Sequence, residues 1–96
     1  ARALSRLPQP DRPRRIVELG AGDCRSSLRL MTLLGPSWRG SSFVAVDRAD
    51  AVEQGTRAAM AGTGWQCAFE VADVFEWLDA GKLRPGDAVI ASLFLH

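Results

Sequence analysis

The sequence predicts a Rossmann-like α/β fold, a parallel sheet with helices on both faces. Three observations carry that reading. Short β-branched or apolar runs alternate with segments of helical periodicity in the order βαβαβαβ, which calls for right-handed crossovers. The runs Phe43–Val46 and Ala88–Leu95 are almost wholly apolar, as strands buried on both faces are. The first run breaks into Gly20-Ala21-Gly22 directly before a helix, where backbone can approach a ligand closely.

The elements follow in chain order. Residues 1–13 form a basic, proline-punctuated lead, and residues 14–96 form the domain. The first strand is expected at 14–19, where Ile16 and Val17 favour extended backbone, and Gly20 ends it. A helix is expected from about Cys24, with Leu28, Met31 and Leu34 at helical spacing and Leu30 and Leu33 widening the stripe. Gly35-Pro36 stops it, and Trp38 in the following loop is expected to cover part of the core. The second strand is read at Ser42–Asp47. A second helix is read at 50–61 with Val52, Gly55, Thr56, Ala59 and Met60 on one face, closed by Gly62-Thr63-Gly64. A third strand at 65–72 and a short helix at 73–80 follow, with Val74, Trp77 and Leu78 inward. The turn Lys82–Gly86 then leads into a fourth strand at 87–95. That fourth strand is expected to be central, yet nothing in the 96 residues remains to pair with its far side. An edge of that kind invites self-association, so a homo-oligomer through it is an expectation. Beginning at Ala1 and stopping at Leu95-His96 directly after an apolar run, the chain reads as part of a larger domain.

Composition narrows the function classes. With 47% apolar and 24% charged residues, the chain has the make-up of a globular domain. No run of about 18 apolar residues is present to span a membrane, and no basic start leads into an apolar signal segment. Cys24 and Cys67 are too few and too far apart for a disulfide framework or a zinc site, so a reducing cytoplasm is the expected compartment. Net charge is +1, unevenly spread. The first fifteen residues hold Arg2, Arg6, Arg12, Arg14 and Arg15 against Asp11 alone, and the remainder is net acidic. Without interleaved aromatic residues or a basic excess in the folded part, that lead reads as a solvated arm rather than a nucleic-acid surface.

The segment that carries chemistry is Val17-Glu18-Leu19-Gly20-Ala21-Gly22-Asp23-Cys24. Glycines between strand and helix admit a ligand, and three acids sharpen the signal. Glu18 precedes the first glycine by two residues. Asp47 ends the second strand, where a carboxylate can accept hydrogen bonds from both ribose hydroxyls. Asp73 follows the third strand and opens a helix, with Val74 and Phe75 beside it. Any one acid has an ordinary explanation, and Asp73 is a favoured helix N-cap. The three together are hard to assemble by chance.

On these residues the chain resembles the class I S-adenosylmethionine-dependent methyltransferases, and the match spans residues 14–96. The resemblance implies the N-terminal, cofactor-binding half of a seven-stranded domain, truncated after its fourth strand. It implies S-adenosyl-L-methionine as cofactor, with Glu18, Gly20, Ala21 and Gly22 in the first loop. Asp47 would hold the ribose and Arg48 would flank the adenine. Asp73 and Val74 would meet the adenine edge, with Phe75 and Trp77 as candidate flanking rings. Ser92, at the end of the fourth strand, would lie against the methionine part. His96 follows that strand where such enzymes place a base or orienting group for the acceptor. No Asn/Asp-Pro-Pro-aromatic run follows the strand, which favours O- or C-methylation of a small molecule over a nucleic-acid substrate. The sequence departs from the family at Cys24, where a glycine is usual. The isolated 96 residues are expected to be inactive on their own.

Two rival readings come from other classes. A domain binding NAD(P) or FAD for hydride transfer wants Gly-x-Gly-x-x-Gly, and its third glycine would fall at Arg25. Glu18 would also repel a pyrophosphate. A non-catalytic methyltransferase-like fragment is the other. Cys24, at a helix start, has two readings of its own, a thiol of lowered pKa and a small packing residue.

Overall fold

A computed structural model describes residue 13 and residues 15–92. The basic lead apart from Pro13, the proposed start of the first strand at Arg14, and Leu93–His96 lie outside the described residues. The elements run β1 (Arg15–Leu19), α1 (Arg25–Leu34), a single 3-10 turn (Pro36–Trp38), β2 (Ser42–Asp47), α2 (Gln54–Gly62), β3 (Gln66–Val71), α3 (Val74–Asp79) and β4 (Asp87–Ala91). The four strands form one parallel sheet in the order β3-β2-β1-β4. This is the Rossmann-like α/β arrangement that the alternation of elements predicts.

Alternation along the strands divides the core in two. On one face Ile16, Phe43 and Ala45 pack with Met31 and Leu34 of α1 and Met60 of α2. On the other, Val17, Leu19, Val44 and Val46 pack with Val74 and Trp77 of α3. The chain steps outward from β1 to β2 to β3, then returns through α3 to place β4 on the far side of β1. That reversal is the topological switch point, and open sheets of this kind bind ligands in the crevice outside it.

Trp38 and Trp65 stack at 5.6 Å between ring centroids, with Phe43 edge-on to Trp65, so both indoles belong to the core as expected. Trp77 is buried as well. Several finer expectations change. Leu33 points to solvent, leaving a stripe of Ser27, Met31 and Leu34 with Leu28 and Leu30 half-buried. The second helix begins at Gln54, because 48–53 is tied as a loop by Arg57, which pairs with Asp50 and donates to the Val52 carbonyl. Of its expected inward face only Met60 is fully buried; Gly55 and Ala59 are exposed. Cys67 is half-buried. Among the described residues β4 pairs with β1 alone, and Val89 on it is 46% exposed. No helix among the described residues is long and apolar enough to cross a membrane.

Candidate functional site

The turn between β1 and α1 is built from unusual backbone. Gly20, Gly22 and Cys24 all take positive φ, at 78°, 60° and 63°. Glycine adopts such angles freely, whereas Cys24 pays a steric cost of about 1–2 kcal/mol. The glycine usual at this position in the family that the sequence resembles would carry no such cost. Cys24 is nonetheless fully buried within the α1-side core. Burial pushes its thiol up to about 11, with only a Ser27 hydrogen bond pulling the other way. The reading of Cys24 as a thiol of lowered pKa is therefore corrected: it is packing material.

The loop is fastened to β2. Gly20 and Ala21 N–H both donate to the Val46 carbonyl, and Gly22 N–H donates to Asp47 Oδ2 at 2.8 Å. Asp47 Oδ1 accepts from Ala49 N–H at 3.1 Å. Each carboxylate oxygen retains a second lone pair. At the neighbouring strand end, Asp73 Oδ1 caps α3 by accepting from Phe75 and Glu76 N–H. Its Oδ2 lies 3.9 Å from Arg48 Nε, a pair too exposed to hold the guanidinium firmly.

Between these groups lies a cleft of about 480 Å³, open to solvent. Gly20 and Gly22 form one wall, Asp47 and Arg48 the next, and Asp73, Val74 and Phe75 the third. Its volume falls within the roughly 300–1,000 Å³ typical of small-molecule sites. Phe75 is 67% exposed although aromatic, and it presents its ring to this opening. Six of the ten predicted site residues thus converge on one cleft: Gly20, Gly22, Asp47, Arg48, Asp73 and Val74.

The other four do not line it. Ala21 is buried beneath the loop. Glu18 is only 5% exposed, with Oε1 accepting from Ser27 Oγ at 2.5 Å and Oε2 from Ser92 Oγ at 2.6 Å. The expected grouping of Glu18 and Ser92 is thus present, but as a buried hydrogen-bonded set below the switch point. His96 lies outside the described residues. Trp77 is not a wall of the cleft either; its indole N–H donates to Glu70 on β3. Sequence reasoning overlooked Ser27. The signal was available, since the Met31-Leu34 stripe continued back one turn lands on a hydroxyl.

Arg25 stands where a dinucleotide-binding loop has its third glycine. Its side chain is 77% exposed and turns back to Asp23 at 3.4 Å, while its backbone N–H is taken by Asp23 Oδ1. A wider hollow of about 700 Å³ lies at the amino end of the sheet, but its buried charges Arg15 and Asp87 are paired with each other. The fold and the cleft together define a Rossmann-like α/β domain with a small-molecule-sized opening at its strand ends. Comparison with protein-family models, curated proteins and solved structures found no match for this chain.

Proposed function

We propose that this chain provides the cofactor site of an S-adenosylmethionine-dependent methyltransferase acting on a small molecule. The observation that carries the reading is how the loop amides at the cleft are used. Gly22 N–H is held by Asp47, and Arg25 N–H by Asp23. A pyrophosphate would have to displace two carboxylates to reach them, and it would meet Asp47 and Asp73 as like charges. A nucleoside with a cationic tail meets no such opposition.

The donor set suits an adenosyl group. The lone pairs that Asp47 has left are placed to accept from ribose hydroxyls at the end of β2. Asp73 Oδ2 and the start of α3 offer an acceptor and backbone beside the edge of a base. The Phe75 ring and the Arg48 guanidinium offer planar surfaces for its faces. When bound, the cofactor supplies a methyl group already activated by positive sulfur. The chain's own residues bind and orient, which is the main demand of an in-line displacement. A covalent nucleophile is not required.

Calorimetric titration of the protein with S-adenosylhomocysteine, and separately with NAD, tests this directly. S-adenosylhomocysteine is expected to bind and NAD is not. Asp47→Ala is expected to weaken the first about tenfold or more, a loss of roughly 1.4 kcal/mol, while circular dichroism shows the sheet retained. Binding of NAD alone would overturn the proposal.

A further inference from the structure

Three parts of the chain meet at the buried carboxylate of Glu18. It closes β1 just before the glycine loop, Ser27 opens the buried stripe of α1 just after that loop, and Ser92 leaves β4. The Ser27–Glu18 hydrogen bond at 2.5 Å therefore joins the two ends of a loop that carries three positive φ angles. On the other oxygen, Ser92 Oγ donates at 2.6 Å while Ser92 N–H donates to the Leu19 carbonyl at 2.8 Å. The exit of β4 is thereby pinned to the same point by side chain and backbone.

We infer that Glu18, Ser27 and Ser92 are positioning residues that set the shape of the cleft from beneath, without lining it. The physical reason is the buried carboxylate. With both oxygens accepting short hydrogen bonds away from water, removal of either hydroxyl leaves a desolvated acceptor whose cheapest relief is movement of the loop toward solvent. That movement would release Gly22 N–H from Asp47, which is the contact that shapes the cleft wall. The inference depends on the proposed cofactor only for its binding readout.

The test is amide hydrogen exchange on the whole 96-residue protein without ligand, for wild type and Ser27→Ala. The amides of Gly20–Asp23 are expected to exchange about tenfold faster in the variant, while those of the β2–β3 ladder stay within about twofold. Ser92→Ala, which frees the other oxygen, is expected to give the same pattern and serves if Ser27→Ala does not fold. Affinity for S-adenosylhomocysteine should fall severalfold in both. Unchanged loop exchange, or an equal rise in loop and ladder, would overturn the inference whatever the titration gives. If the loop result holds but wild type takes no S-adenosylhomocysteine, the cofactor proposal falls and the positioning role stands.

Discussion

At the amino ends of the strands, Arg15 on β1 and Asp87 on β4 stand opposite each other in the register and form a bidentate pair, with contacts of 2.7 and 3.0 Å. Beside them, Lys82 pairs with Glu70, which also accepts from the Trp77 indole. At the carboxyl ends the carboxylates behave differently. Asp47 and Asp73 accept from backbone amides, Glu18 accepts from hydroxyls, and Arg48 approaches Asp73 only to 3.9 Å with 81% of its side chain exposed. One end has its charges neutralised in place. The other holds its acids by dipoles and keeps them free of firm cationic partners, so they can still answer to a ligand. The difference separates what holds this sheet together from what it presents.

The largest expected effect lies at the amino end. Asp87→Ala strands the nearly buried Arg15 guanidinium and should cost about 3 kcal/mol in urea unfolding, with ligand affinity at the cleft unchanged. The same pair gives a pH signature. The Arg15 hydrogen bond holds the Asp87 carboxyl below the usual carboxylate range. Its stabilisation is therefore complete above the unfolded value of about 3.9 and is lost as pH falls through the lower folded value. Acid unfolding of wild type should steepen below about pH 4, and the Asp87→Ala variant should lack that component. An equal loss of cleft affinity in Asp87→Ala would erase the separation between the two ends.

A smaller effect is expected from the cleft side. Phe75→Ala removes an exposed ring, so unfolding should shift by no more than about 0.5 kcal/mol. Affinity for S-adenosylhomocysteine should drop about fivefold, the loss of roughly 1 kcal/mol of stacking. A stability loss without an affinity loss would reassign Phe75 from the site to the core.

The smallest effect is expected at Cys24. Glycine there relieves the positive φ but gives up a buried side chain and adds freedom to the unfolded chain. These offset each other, and Cys24→Gly should move the unfolding midpoint by less than about 1 kcal/mol and leave binding intact. A large change in either direction would show that the thiol does more than fill space.

Much of the fold was legible because it rests on local rules. The run Phe43–Val46 can only be a strand buried on both sides, Gly35-Pro36 can only end a helix, and the order of elements implies parallel pairing. The start of α2 was misjudged by four residues because Arg57, a residue inside the helix, captures the preceding loop through Asp50 and the Val52 carbonyl. No local pattern records that. For the site, strand-end position was enough to bring Gly20, Gly22, Asp47, Asp73 and Val74 to one cleft. Glu18 and Ser92 were grouped correctly but for a different reason, since their partner Ser27 is polar and sits where periodicity expects a core residue.

The sequence by itself determined the alternation of strand and helix, the glycine turn, and the placing of acids at strand ends, since each follows from side-chain shape and spacing within a few residues. Only the tertiary structure decided what those acids touch. Whether a carboxylate meets a guanidinium, an amide or a hydroxyl depends on groups brought from 9 to 74 positions away. Those meetings are set by the parallel register of β1 with β2 and β4, and by the packing of α1 upon them.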